Sequence, residues 1–155
     1  PPARQLRLVI AGLMGSGKST LCRMLRNLLG GVWVNQDEFS HLNKAAKRTF
    51  LAEVGKVAGD VSVPTLLVDK INTMRQHRRE ILEAMQSGAD GDVALIQFRH
   101  PRDAPGRWEH ATNLCEARIR GRGRGHRTLM GDEPKLRNIL DMTAKNVEPM
   151  TQEEL

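Results

Sequence analysis

Residues 12–19 read Gly-Leu-Met-Gly-Ser-Gly-Lys-Ser and fit the pattern G-x-x-x-x-G-K-[ST] of a phosphate-binding loop. Glycines at these positions let backbone N–H groups close around phosphate oxygens, and a helix that begins there adds its positive end. The Lys18 ammonium is expected to reach the β- and γ-phosphates, and the Ser19 hydroxyl is expected to bind Mg²⁺. Because the pattern lies between an apolar segment and an amphipathic one, nucleoside triphosphate binding is favoured over a chance glycine turn. The predicted nucleotide contacts in this loop are Gly12, Gly15, Ser16, Gly17, Lys18, Ser19 and Thr20.

Two aspartates follow apolar segments and could take part in phosphoryl transfer. Asp37 comes directly after the second apolar segment, where a carboxylate could accept the proton of an attacking hydroxyl. A helix N-cap or a solvated surface acid is the alternative for Asp37, and Glu38 competes with it for the role of base. Asp69 ends the third apolar segment, a position where an acid commonly holds Mg²⁺ or orients the acceptor. Ser19 and Asp69 are therefore the residues predicted to bind a divalent metal, Mg²⁺ or Mn²⁺.

The residues after Asp69 could contact the acceptor of a transferred phosphate. Asn72 could fix the loop in which it lies, and a purely structural asparagine is equally compatible with the sequence. The helix predicted next carries four basic side chains, Arg75, His77, Arg78 and Arg79, which could touch an acceptor phosphate. A solvated helix face explains most of them without a ligand. The predicted substrate-binding residues are Asp37, Asp69, Asn72 and Arg75.

Residues 118–127 carry five arginines and no acid. In a kinase built on a phosphate-binding loop this is the position of the lid, which closes over the triphosphate and stabilises charge during transfer. Arg118 and Arg122 are four residues apart and share a face if the helix persists. The alternative is a flexible arginine–glycine tail that grips nucleic acid without specificity. Placement after the fourth strand–helix unit favours the lid, which we predict to span about residues 118–130.

The elements that must position these residues are short apolar strands alternating with amphipathic helices. Strands that are apolar along their whole length indicate a parallel sheet covered on both faces. Right-handed crossovers then give a doubly wound α/β fold of the P-loop kinase type with four to five strands, whose ligands bind at the carboxyl ends of the strands. The predicted strands are 6–11, 32–35, 65–69 and 93–98, and the predicted helices are 18–29, 41–58, 73–88, one around 108–119 and one over 134–145.

The chain has 155 residues, enough for one domain, with 24 Lys and Arg against 18 Asp and Glu. Residues 118–127 account for +5 of the net charge of +6, so the positive charge is concentrated at the predicted lid. Two cysteines build neither a disulfide framework nor a zinc site, which favours an intracellular protein of the nucleus or cytoplasm. No apolar stretch is long enough to span a membrane, and no membrane partner is expected. The abrupt ends suggest a segment of a longer multidomain chain.

Taken together, these residues resemble the central polynucleotide kinase domain of fungal-type tRNA ligases. That family combines the GxxxxGK[ST] loop with an acid after strand two, a strand-end D-[RK]-x-N and a later R-G-x-x-H-Q-[ST]. The corresponding residues here are 12–19, Asp37, 69–72 and 122–128, so the resemblance covers roughly residues 6–128.

The resemblance implies a 5′-hydroxyl RNA kinase that prepares the 3′ exon half of a cleaved tRNA for sealing during tRNA splicing. It implies flanking ligase and cyclic phosphodiesterase domains in the full-length chain. It makes Asp37 the general base and Arg118 or Arg122 the catalytic lid arginine. It also implies GTP in preference to ATP as donor, with guanine read by the loop around Arg122 and His126.

Two other functions remain open from the residues alone. A kinase of small metabolites would share the loop, the acid after strand two and the arginine lid. A noncatalytic, nucleotide-dependent RNA-binding module would share the basic segment but would not need Asp37. The sequence leaves the oligomeric state open.

Overall fold

The computed structural model describes residues 4–86, 88, 90–101, 103–122 and 131–154. Their centre is a four-stranded sheet in the order β2-β3-β1-β4, and every neighbouring pair is parallel. This confirms the predicted α/β class with four strands, and no fifth strand occurs among the described residues. The strands are β1 (Gln5–Ala11), β2 (Val32–Asn35), β3 (Thr65–Asp69) and β4 (Gly91–Gln97).

Within the described residues five α-helices accompany the sheet, and one of them begins later than its sequence pattern indicates. The predicted helix over 41–58 is a 3₁₀ helix, Gln36–Ala45, followed by an α-helix from Ala46. Asn43 separates the two with a left-handed backbone (φ 50°), a conformation that asparagine tolerates better than most residues. The helices are α1 (Lys18–Leu29), α2 (Ala46–Ala58), α3 (Arg75–Gln86), α4 (Pro105–Gly121) and α5 (Leu136–Lys145), and none is both long and apolar enough to cross a membrane within the described ranges.

Both faces of the sheet are covered, which explains strands that are apolar throughout. Val9 of β1 packs with Phe50 of α2 and Ile81 of α3 on one face. Its neighbour Ile10 points to the opposite face and packs with Cys22 of α1, because successive side chains of a strand alternate between faces. Val9 and Ile10 are both fully buried.

Helices α4 and α5 form a third cluster against the loop that follows β1. Leu13 of that loop packs with Cys115 and Ile119 of α4 and with Leu136 and Leu140 of α5. The helix that leads into the arginine-rich segment is therefore seated directly on the predicted phosphate-binding loop. Both cysteines are buried, and burial raises the pKa of the Cys22 thiol to about 12, so neither is a reactive nucleophile.

The C-terminal segment folds back over the start of α3 through Arg78, whose side chain is completely buried. Its guanidinium donates to both carboxylate oxygens of Glu154 at 2.6 and 2.8 Å. It also donates to four backbone carbonyls, those of Asn72, Thr73, Glu148 and Pro149. The prediction of a solvated helix face is therefore wrong for Arg78. The reason is that its carboxylate partner and two of its carbonyl acceptors come from residues 70 or more positions further along the chain.

Candidate active site

A cavity of about 460 Å³ lies at the carboxyl ends of β1, β2 and β3. This is the edge where the ligands of an open parallel sheet bind. The structure brings seven of the predicted site residues to its wall, namely Gly15, Gly17, Lys18, Ser19, Asp37, Asp69 and Arg122. Gly12, Ser16 and Thr20 belong to the same loop but do not line the cavity.

The loop after β1 has the backbone geometry of an anion-binding turn. Gly15 and Gly17 have left-handed φ angles of 77° and 107°, and α1 begins immediately after them at Lys18. A Cβ atom on Gly15 would lie 2.5 Å from the carbonyl oxygen of Cys115, so only glycine fits beneath α4. The Ser16 hydroxyl is buried and has no hydrogen-bond partner within the described residues. The loop thus offers backbone and hydroxyl donors to a phosphate.

Lys18 is folded back along this loop rather than extended into solvent. Its ammonium donates to the carbonyl oxygen of Leu13 at 2.8 Å, and the residue is only 8% exposed. Burial lowers the pKa of Lys18, while the nearby carboxylates of Asp69 and Asp37 oppose that shift. A phosphate in the cavity would give the buried ammonium a further counter-charge.

The two residues predicted to bind a metal are in direct contact. The Ser19 hydroxyl donates to Oδ2 of Asp69 at 2.8 Å, and both residues line the cavity. Their hard oxygen donors fit Mg²⁺, which usually takes one or two protein ligands and completes its octahedron with phosphate oxygens and water. Within the described ranges no group of three or more His, Cys, Asp or Glu residues is arranged to hold a metal by protein ligands alone.

Asp37 is fixed in the turn between β2 and the 3₁₀ helix. The side-chain oxygen of Asn35 accepts from the Asp37 N–H at 3.0 Å, and the Ser40 hydroxyl donates to the Asp37 carbonyl at 2.8 Å. Asn35, and not Asp37, is therefore the N-cap. Glu38 is exposed and does not line the cavity, which leaves Asp37 as the acid that faces it.

The two arginines predicted for the lid lie on the same side of the cavity but make different contacts. The Arg118 guanidinium donates to the carbonyl oxygens of Gly15 and Ser16 at 3.4 and 3.3 Å, so it binds the phosphate-binding loop itself. Arg122, at the end of α4, lines the cavity. His126 and the rest of the predicted lid beyond Arg122 lie largely outside the described residues, which resume at Gly131.

The remaining predicted substrate residues have structural partners. Asn72 is buried with a left-handed backbone (φ 47°), and its side-chain amide donates to the carbonyl of Ile10 at 3.1 Å. It thereby ties the loop after β3 to β1. Arg75 is not brought to the cavity; its backbone N–H donates to Glu148, and its guanidinium is 3.8 Å from Glu154. Lys70 lines the cavity but has no predicted role, although it occupies the basic position of the D-[RK]-x-N motif directly after Asp69.

The sheet, the loop and the facing acid define a kinase of the P-loop class, and three solved structures share this fold. The crystal structure of a fungal RNA kinase has a TM-score of 0.71 at 19% identity, over 99% of this chain and 71% of that chain. A gluconokinase from Sinorhizobium meliloti has a TM-score of 0.60 at 17% identity, over 98% of this chain and 79% of that chain. A shikimate kinase from Acinetobacter baumannii in complex with shikimate has a TM-score of 0.51 at 16% identity, over 99% of this chain and 88% of that chain.

The sequence itself identifies the family. The tRNA ligase kinase domain family matches residues 7–154, nearly the whole chain, and the protein belongs to that family. It is a kinase domain of the tRNA ligase type, which confirms the resemblance drawn from the ordered motifs. A comparison with curated protein sequences gives no match.

Proposed function

We propose that this kinase domain transfers the γ-phosphate of a nucleoside triphosphate, preferably GTP, to the 5′-hydroxyl of the 3′ exon half of a cleaved tRNA. The observation that carries the proposal is the shared cavity of Asp37, Lys18 and the Ser19–Asp69 pair. This arrangement supports Asp37 as the base and Lys18, Ser19 and Asp69 as the groups that bind the triphosphate and its metal. Membership in the tRNA ligase kinase family supports RNA as the acceptor.

The reaction in this cavity is a direct, in-line transfer. The Asp37 carboxylate accepts the proton of the ribose 5′-hydroxyl, whose oxygen forms a bond to the γ-phosphorus. The bond from that phosphorus to the bridging oxygen breaks, and the nucleoside diphosphate leaves. Lys18 and Arg122 stabilise the negative charge that develops on the transferred group. A divalent cation such as Mg²⁺ or Mn²⁺, held by Ser19 and Asp69, would supply further charge neutralisation on the phosphate oxygens.

The finer parts of the proposal rest on the sequence motifs. The preference for GTP over ATP rests on the resemblance of residues 122–128 to the family pattern. The role in tRNA splicing and RNA repair and the flanking ligase and phosphodiesterase domains rest on that same resemblance. The proposed intracellular location, in the nucleus or cytoplasm, rests on the cysteine content.

The decisive experiment follows labelled γ-phosphate from GTP or ATP to a 5′-hydroxyl RNA oligonucleotide. We expect 5′-labelled RNA, more efficient transfer from GTP, and no label on an oligonucleotide that already carries a 5′-phosphate. Shikimate, the ligand in one of the fold relatives, serves as a small acceptor for comparison. Absence of labelled RNA with both donors contradicts the proposal, and label on the small acceptor alone supports a metabolite kinase.

The Arg122→Ala variant is expected to lose about 10³-fold or more in turnover, with a much smaller loss in RNA affinity. An arginine that stabilises the transferred phosphoryl group contributes on that scale, chiefly in the transition state. Single-turnover rates and equilibrium RNA binding measure the two effects separately. Arg120→Ala is the matched control, because Arg120 lies on the same helix but pairs with Glu116. Equal losses of turnover and RNA affinity in Arg122→Ala would support the nonspecific tail instead.

A further inference from the structure

Lys70 is a cavity-lining cation whose charge the active-site chemistry described above does not use. It follows Asp69 at the carboxyl end of β3 and is partly buried. Its ammonium lies 6.0 Å from the ring centroid of Phe50 on α2. Within the described part of the chain it donates no hydrogen bond and forms no ion pair. A partly desolvated ammonium of this kind is costly unless an anion reaches it.

The groups around Lys70 leave one positive charge in excess. Lys47 of α2 pairs with Oε1 of Glu80 on α3 at 2.6 Å, while Oε2 of Glu80 is buried without a hydrogen-bond partner in the described residues, so one carboxylate faces two lysines. Burial and Lys70 lower the pKa of His77. Lys47 and Lys70 thus share the Glu80 carboxylate, which leaves one lysine charge in excess.

The cavity has a donor side and an acceptor side, set by the strand order β2-β3-β1-β4. The phosphate-binding loop follows β1, and Arg122 with the α4 and α5 side chains closes over it from one side. Asp37 follows β2 and Lys70 follows β3, so both face the cavity from the opposite side. Because both residues line one cavity, an acceptor whose hydroxyl reaches Asp37 occupies the space that Lys70 borders.

We propose that Lys70 binds the first internucleotide phosphate of the acceptor RNA, the phosphodiester attached to the 3′-oxygen of the 5′-terminal nucleoside. This inference rests on the proposed function. It makes Lys70 a specificity-determining residue, because the charge selects an acceptor that carries a 3′-phosphate over a free nucleoside. It also separates the two anions of the site: Lys18 holds the donor phosphates and Lys70 holds the acceptor phosphate.

The test combines a variant with an atomic change in the RNA. Lys70→Met keeps the apolar stem but removes the charge, and is expected to raise the KM for RNA about 10- to 100-fold, the scale of one charge-assisted hydrogen bond. Turnover at saturating RNA and the KM for GTP are expected to stay within about threefold, since a bond made equally in ground and transition states affects KM alone. Lys70→Arg is expected to restore most of the RNA affinity. Lys56→Met is the control, because Lys56 lies on the exposed side of α2.

An RNA whose first internucleotide linkage is an uncharged methylphosphonate tests the same contact on the wild-type enzyme. We expect this RNA to show a similar rise in KM with the wild type and no additional rise with Lys70→Met, because both changes remove one interaction. A methylphosphonate at the third linkage is expected to add its effect independently.

Two outcomes separate this inference from the proposed function. A wild-type enzyme that labels no RNA overturns the proposed function and the Lys70 contact together. If the wild type labels RNA, two results overturn only the Lys70 contact. One is an unchanged KM for RNA in Lys70→Met. The other is full additivity between Lys70→Met and the methylphosphonate at the first linkage. If Lys70→Met raises the KM for GTP and leaves the KM for RNA unchanged, Lys70 binds the donor, and the proposed contact with the acceptor phosphate is overturned.

Discussion

Asp37→Ala is expected to slow phosphoryl transfer by about 10²- to 10⁴-fold while nucleotide affinity stays within a few fold of the wild type. A positioned general base contributes on that scale, and its loss leaves the donor site intact. Asn35 and Ser40 hold the backbone of Asp37, so truncation of its side chain leaves the turn in place. Single-turnover transfer from GTP to a 5′-hydroxyl RNA measures the rate, and binding of a fluorescent GTP analogue measures the affinity.

Two further variants sharpen this result. Asp37→Asn keeps the shape of the side chain and removes its basicity, so it is expected to be nearly as slow as Asp37→Ala. Glu38→Ala is the matched control, because Glu38 is adjacent, exposed and outside the cavity. Near wild-type turnover in Asp37→Ala would refute its assignment as base, and a selective loss in Glu38→Ala would transfer the role to Glu38.

Arg78→Met is expected to lower the free energy of unfolding by about 3–5 kcal/mol, the usual cost of breaking a buried ion pair by removing one partner. The change leaves the Glu154 carboxylate and four carbonyl groups without the guanidinium that satisfies them. Urea unfolding followed by circular dichroism measures the difference. Arg79→Met is the control, because Arg79 is the exposed neighbour on the same helix and its loss is expected to cost about 0.5 kcal/mol or less. Equal effects of the two substitutions would contradict a structural role specific to Arg78.

The same ion pair gives the stability a defined pH dependence. Hydrogen bonding from Arg78 lowers the pKa of the Glu154 carboxyl below its ordinary value. A carboxyl with a lowered pKa in the folded state stabilises the protein above its pKa in the unfolded state, about 4.3. That stabilisation is lost as the pH falls through the lowered pKa. The difference in unfolding free energy between the wild type and Glu154→Gln is therefore expected to be largest near neutral pH and to shrink below about pH 4.

The fold was largely predictable because its strands are buried on both faces. Val9 and Ile10 are adjacent, point to opposite faces and are both fully buried, so β1 reads as a continuous apolar run. The 3₁₀ helix Gln36–Ala45 was not predictable from periodicity, since its start depends on the Asn35 cap and its end on the left-handed Asn43. Local side-chain chemistry of this kind leaves only a weak hydrophobic pattern.

The candidate site was predictable where its chemistry is local in sequence. The loop from Gly12 to Ser19 carries its pattern in eight consecutive residues, and in the structure its Ser19 hydroxyl contacts Asp69 at the cavity. Arg78 and Arg75 could not be separated from a solvated helix face by sequence alone, because their acidic partner is Glu154, 76 residues after Arg78. Charge pairs at that separation form only when the tertiary fold brings them together.

The Arg78–Glu154 contact can form only after both residues have been synthesised. At about 5–20 residues per second on the ribosome, Glu154 follows Arg78 by about 4–15 s. During that interval Arg78, whose guanidinium donates to the carbonyls of Asn72 and Thr73 in the folded protein, has no carboxylate partner at Glu154. The phosphate-binding loop is synthesised well before Glu148 and Glu154, which complete the contacts of Arg78. A nascent chain halted before Glu148 would thus lack the C-terminal contacts of the arginine that binds the loop after β3.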